Sequence, residues 1–482
     1  MRGSLLLTII FFFSLLEQLA HTDEISYHPI NLGFWETVNL ALKDKDYKDI
    51  LPLADDVSKH TKKDSQENGE AQLATGLALK GLGFKYLSTQ VLGEVLKKSL
   101  GTDIGLQALL GLEEIAHSGL VDEDYVYGEL ANDLEFDTLP KGLSDFISYQ
   151  QGIFDLLHGF DKWSALSFSK INSDSYWDFK LRYYYALKDV AADNPSGALE
   201  KFSKLASSDL VPDDIKGQAV HQQARLIFEK GDYTQAYKLY KKVTLSPREK
   251  GLILLERAWA KYYQKDYGKA LGLLVALEAP YFDASRTPEA YILKMLMYKE
   301  LCYYDSALSV VGEFNKHFRN SIQNIHKRTE LRSDQVLVNL SVLDQGVERW
   351  VNFLQSLKDE KKDLENYNWE QYAFLKNSRR LYDLEMNRVR NQLDWILKDK
   401  VRKSANQLLD WEEQLTFLDY QTRLDRLRVI KPKSEVPYRS EEISHTKFDK
   451  SYWTAEGEIW FDELEDYKVF VESQCEEDVK VK

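Results

Sequence analysis

The sequence predicts an all-α chain: an array of helical hairpins, then a pair of long antiparallel helices, then a short extended tail. Three observations carry this. Only 10 prolines and 24 glycines interrupt 482 residues, too few breakers for a many-turned β architecture. Small residues recur in pairs 12 positions apart, at a period near 34, through the middle of the chain. Beyond Leu340, apolar residues alternate at three and four positions, the spacing of a helical seam.

Composition narrows the class. Lys plus Arg is 63 against 77 Asp plus Glu, a net charge of −14, which disfavours non-specific binding to nucleic acid or to an anionic membrane. A hydrophobic fraction of 44% supports a sizeable core and excludes global disorder. Two cysteines exclude a disulfide-rich mini-fold and a cysteine-rich zinc module.

Residues 1–22 read as a secretory signal peptide: Arg2 starts it, Leu5 to Leu16 form an uncharged run, and Ala20 and Thr22 sit at small-residue positions before Asp23. The run spans about 18 Å as a helix, short of a bilayer core of about 30 Å. An uncleaved anchor is the alternative. No other stretch reaches 18 apolar residues, so no integral membrane segment is expected in the mature chain. Export implies an oxidising compartment, where Cys302 and Cys475, the only cysteines, are expected to pair. That bond would fold the tail across the last hairpin of the array and cover its end.

The repeats are clearest at 217–280. Ala224 is followed at +12 by Ala236, with Gly231-Asp232-Tyr233 as the turn and Pro247 closing. Ala258 is followed by Ala270, with Asp266-Tyr267 as the turn and Pro280 closing. Upstream, Ala186 pairs with Ala198 and Gly152 with Ala165; downstream, Met295 pairs with Ala307. Helices that pack 8–10 Å apart leave room only for small side chains where they cross. These residues resemble the tetratricopeptide repeat (TPR) family, which implies a TPR-like α-solenoid over 145–318. Residues 23–144 read as an N-terminal helical region of degenerate repeats, with Gly76 and Ser88 again 12 apart.

Residues 319–430 read as the long hairpin, with helices over about 325–365 and 369–428. Its seams are Leu340, Leu343, Val347, Trp350, Leu354, Leu357 and then Met386, Val389, Leu393, Ile396, Leu408, Trp411, Leu415, Leu418. The seams either pack on the array or form a projecting arm that self-associates through 325–428. Residues 431–482 read as an acidic linker and tail, in which Tyr467, Val469 and Val471 alternate with Lys468, Phe470 and Glu472 as an extended segment. The Glu-Ile-Trp-Phe-Asp-Glu-Leu stretch near the end is similar to the tail of some envelope TPR proteins of Gram-negative bacteria, which implies the periplasm or cell envelope.

A search for catalytic motifs finds none. No HExxH pair, P-loop or Gly-x-Ser-x-Gly occurs, and no cofactor or metal is expected. Gly81-Leu82-Gly83 reads as close helix packing, and Asp122-Glu123-Asp124 lacks the rest of a calcium loop. The resemblance implies a non-enzymatic scaffold that binds protein or peptide partners in a groove lined by the first helix of each repeat. The matching positions are Tyr183, His221, Arg225, Leu255, Trp259 and Tyr262. Two other functions stand beside it. One is a self-associating coiled-coil organiser. The other is a glycan-processing enzyme, which would need a Glu of raised pKa facing a second carboxylate.

Overall fold

A computed structural model describes residues 29–99, 101–117, 139–243, 247–428 and 467–475. The signal segment, the Asp122-Glu123-Asp124 stretch and the linker at 431–450 lie outside the described residues. Among those described there are eighteen α-helices and no strand, so the chain is all-α. It divides into two compact units: Met1–Ile215 with Trp350–Gln392, and Lys216–Arg349 with Leu393–Lys482.

The first unit stacks hairpins built from α1 (Leu32–Asp44), α2 (Tyr47–His60), α3 (Gln66–Gly81), α4 (Lys85–Lys98), α5 (Asp103–Ala116), α6 (Lys141–Leu157), α7 (Asp161–Phe168), α8 (Tyr176–Ala191) and α9 (Pro195–Ser207). The second continues the pattern with α10 (Asp213–Glu229), α11 (Tyr233–Tyr240), α12 (Pro247–Tyr263), α13 (Tyr267–Leu277), α14 (Glu289–Glu300) and α15 (Tyr304–His326). The division of the chain falls inside α10, just after its first turn.

The +12 pairs sit where the helices of each hairpin cross. Ala186, Ala198, Ala224, Ala236, Ala258, Ala270, Met295 and Ala307 are all 0% exposed. At Gly152 an added Cβ would lie 2.3 Å from the Phe168 ring, and at Gly76 2.5 Å from Leu92. Ala165, expected opposite Gly152 at 13 positions, is instead exposed, and Ser164, 12 positions on, is the buried residue at 2%. Ser88 Oγ donates to the Gly76 carbonyl at 2.7 Å, so the degenerate pair does the same job as the regular ones. Gly81 meets the ring of Tyr47 at 2.4 Å, the close packing expected of the GxG stretch, while Gly83 turns the chain with φ +87°.

Seven hairpin turns share one backbone geometry. Lys45, Gly83, Gly159, Asp193, Gly231, Lys265 and Cys302 are left-handed, with φ between 56° and 87°. The next residue in each turn is the cap of the second helix, with ψ between 49° and 72°. Asn194, Asp232 and Asp266 take that place, and their side chains accept from the amides of Gly197, Gln235 and Lys269. At Asp232 and Asp266 the turn Asp is therefore a helix cap, whereas Asp46 in the same position makes no side-chain cap bond.

The long helices depart from expectation in part. α18 (Ser378–Arg428) runs unbroken for 51 residues, about 77 Å, but starts nine residues later than expected: Trp369–Gln371 and Ala373–Leu375 are short 3₁₀ turns, and Asn377 adopts φ 65°. The helix expected over 325–365 is instead three pieces: the end of α15, then α16 (Gln335–Val342) and α17 (Gln345–Glu365). Arg328 adopts φ 55° and ends α15. Asp334 then starts a new helix by accepting from the amides of Val336 and Leu337. Nor do 319–430 form a body of their own. In the first unit, Leu357 and Leu364 of α17 and Tyr382, Met386 and Val389 of α18 are buried. In the second, Val401, Ala405, Leu408 and Leu415 pack with Tyr291, Met295, Phe314 and Phe318 of α14 and α15. The seams pack on hairpins within each unit.

Candidate functional site

Five of the six groove positions lie in the second unit, on the consecutive first helices α10 and α12. Tyr183 lies in the first unit, where its ring packs edge-on against Phe202 at 5.5 Å. The helical period puts His221 and Arg225 one turn apart on α10, and both reach Glu256 on α12. His221 Nε2 is 2.6 Å from Glu256 Oε2, and Arg225 donates from Nε to Glu256 Oε1 at 2.7 Å. His221 is only 3% exposed and forms a buried link between repeats, while the Arg225 side chain stays 32% exposed. Leu255 is in the core at 2%.

Trp259 and Tyr262 tie α12 to the next first helix. Trp259 Nε1 donates to Glu289 Oε1 at 2.7 Å, and the hydroxyls of Tyr262 and Tyr267 donate to the two oxygens of Glu300. Burial pushes the Glu289 carboxyl above its usual range; the Trp259 bond pulls it down, and the Glu256 charge adds to the rise. Burial and the Glu300 contacts likewise push Tyr267 up to about 12.

The carboxylates Glu256, Glu289 and Glu300 were not among the expected groove positions. Their signal was present: each lies a repeat length, 30 to 38 residues, from the groove side chain it holds. Arg257 was also missed. It is 1% exposed, with its guanidinium 5.3 Å from the Tyr237 ring centroid.

A cleft of about 430 Å³ opens beside this line, bounded by α12, the start of α14, α16 and α18. Leu252, Leu255, Leu340, Leu343 and Trp411 give it apolar walls. Glu289, Asp344, Lys400 and Lys403 give it charge of both signs. Lys400 pairs with Asp344, and Lys403 with Asp399 at 2.8 Å. Glu289 belongs both to the cleft and to the Trp259 bond, so cleft and aromatic line are one surface.

On α13 lies a second feature. Cys302 and Cys475 are joined as a disulfide with a Cα separation of 5.1 Å, as expected from sequence. The tail does not cover the end of the array, however, because α18 packs there. It lies along α13 instead. Val469 N donates to the Gly268 carbonyl at 3.0 Å, and Gln474 N to the Leu301 carbonyl at 2.9 Å. Tyr467, Val469 and Val471 pack inward on the α12–α14 core while Lys468, Phe470 and Glu472 face out, the expected alternation.

Among the described residues no group of three or more His, Cys, Asp or Glu could hold a metal ion, and no helix is long and apolar enough to cross a membrane. No family model matches this chain, and no curated protein is similar to it.

Proposed function

We propose that this chain is an exported, non-enzymatic scaffold, a TPR-like array that holds a protein or peptide partner in the periplasm or cell envelope. The observation that carries the reading is the cleft beside Trp259 and Glu289, with apolar walls and a rim of mixed charge. At about 430 Å³ it is too small for a folded domain and suits a few side chains of a peptide or one face of a helix. The N-terminal apolar run and the cystine are what an exported chain would carry.

The glycan-processing alternative needs a raised acid and a second carboxylate facing it without a partner. Glu289 has the first property. Its neighbour Glu256 is held by Arg225 and His221, and Asp344 is held by Lys400, which favours binding over hydrolysis.

Arg225→Glu is a poor probe, because it would set a second carboxylate against Glu256. Photo-crosslinking residues placed at Leu252, 38% exposed on the cleft wall, and at Lys403 test the reading directly. The same partner adduct is expected at both, and none at Leu166 on the second helix α7, which is 51% exposed. Adducts at 166 with none at 252 or 403 would move the partner surface off the first helices.

A further inference from the structure

α13 carries Gly268 and Gly272 one turn apart, and the tail backbone occupies the space their missing side chains leave. A Cβ at Gly272 would lie 2.0 Å from the Tyr467 carbonyl oxygen and 2.8 Å from the Lys468 Cα. A Cβ at Gly268 would lie 2.5 Å from the Val469 carbonyl oxygen. Backbone therefore meets backbone on a helix face, with a main-chain hydrogen bond from Val469 N to Gly268 O at 3.0 Å. The inward side chains at alternate positions, Tyr467, Val469 and Val471, enter the core formed with Leu254, Leu271 and Phe282. A groove read through the main chain and through alternate side chains is how proteins take up extended peptides.

We propose that the α13 groove is a docking site for an extended segment of a partner chain that presents an aromatic and two β-branched residues at i, i+2 and i+4. The residues 467–475 of this chain are its occupant in cis, latched by Cys302–Cys475. The tail itself defines the chemistry of the partner: main chain against the two glycines, apolar residues inward, and free choice outward, where Phe470 is 92% exposed. The site lies apart from the cleft on the first helices and does not depend on it.

The latch opens by thiol–disulfide exchange with a dithiol reductant. A thiolate of the reductant attacks Cys475 Sγ, which is on the exposed side of the bond. The S–S bond breaks, Cys302 leaves as a thiolate and takes a proton, and a mixed disulfide forms on Cys475. The second thiol of the reductant displaces Cys475, which is protonated in turn. Two electrons and two protons pass to the protein, and the reductant ends as its own disulfide. Cutting the bond lowers the effective concentration of the tail, which stays joined to the chain through its main chain, and lets a free segment compete.

The test uses the full chain and a labelled synthetic peptide of residues 467–474. Val469→Asp, Val471→Asp and Cys475→Ser together disable the cis tail and leave α13 intact. By fluorescence anisotropy, this triple variant should bind the peptide at least about tenfold more tightly than the oxidised wild type. Adding Gly272→Val should abolish binding. A peptide carrying Phe470→Ser should bind unchanged, and one carrying Val469→Asp should not bind. Equal weak binding by the triple variant and the oxidised wild type, at unchanged helical circular dichroism, overturns the proposal, as does binding that survives Gly272→Val.

If the triple variant does not fold, hydrogen exchange on the wild type decides. Reduction by dithiothreitol should speed exchange at Val469 and Gln474 at least about tenfold, and excess peptide should protect α13 again. A tail that stays protected after reduction overturns the proposal. Light scattering on the reduced chain should show a monomer; a dimer would assign the groove to the tail of a second copy and overturn it as well.

Discussion

Glu360 offers a quantitative test of how the first unit is held. It sits on α17, 8% exposed, at the N-terminus of α4, whose own cap Phe84 makes no side-chain bond. Its carboxylate takes that place, accepting from the Tyr86 amide at 3.2 Å and from the Tyr382 hydroxyl at 2.7 Å. Burial nevertheless dominates and pushes its pKa from 4.5 up to about 7. A carboxyl raised in the folded state keeps a proton that the unfolded chain has already lost. Its stabilising contribution is therefore complete below about pH 4.5 and disappears as pH rises through about 7. Moving the pKa from 4.5 to about 7 corresponds to about 3 kcal/mol across this pH range, at about 1.4 kcal/mol for each tenfold change. Glu360→Gln keeps an oxygen for the Tyr86 amide and removes the titration. Urea unfolding followed by circular dichroism at pH 4.5 and pH 8 measures the effect. The difference in unfolding free energy between the two pH values should shift by about 3 kcal/mol in the variant, in the direction of greater stability at pH 8. A pH dependence equal to that of the wild type within about 0.5 kcal/mol would refute the argument, because it would mean that the carboxyl is solvated or already ionised at low pH.

Other predictions concern the repeats and the tail. Ala236→Leu and Ala270→Leu, at fully buried crossings, should each cost about 1–3 kcal/mol by overpacking, while Ala→Leu at an exposed position of the same helices should cost less than about 0.5 kcal/mol. Trp259→Phe keeps the ring but leaves Glu289 without its N–H donor; the carboxyl should rise further, so the variant should lose more stability between pH 5 and pH 8 than the wild type does, read by the same unfolding assay. Thiol titration of the denatured, unreduced chain should find no free cysteine, and Cys302→Ser with Cys475→Ser should lower the stability of the second unit by about 2–4 kcal/mol, less than the roughly 5 kcal/mol that chain entropy alone assigns to a separation of 173 residues. Residues 319–430 expressed alone should lack a cooperative thermal transition, since Val401, Ala405 and Leu408 would lose Met295, Phe314 and Phe318.

The sequence alone determined the hairpins. Spacing of 12 between small residues and a turn of Gly, Asp or Asn are local facts, because a short helical hairpin is closed by its own turn and its own crossing. That logic placed Ala224, Ala236, Ala258 and Ala270, and it also identified α18 as one helix, since no breaker lies between Ser378 and Arg428. Two cysteines in an even count were enough to pair Cys302 with Cys475, and the alternation at 467–472 marked an extended segment without saying which face turns inward. Tertiary structure alone decided where those elements go. A heptad seam states that an apolar stripe must be covered but not by what, so nothing local could divide α18 between two units or set Leu408 against α14 and α15. The groove residues were legible as types but the carboxylates that hold them were not, because a Trp or Arg on a first helix looks the same whether a partner or Glu289 and Glu256 on a neighbouring repeat satisfies it. Nothing local marks Gly268 and Gly272, since the reason for a missing side chain there is an atom nearly 200 residues away in the chain.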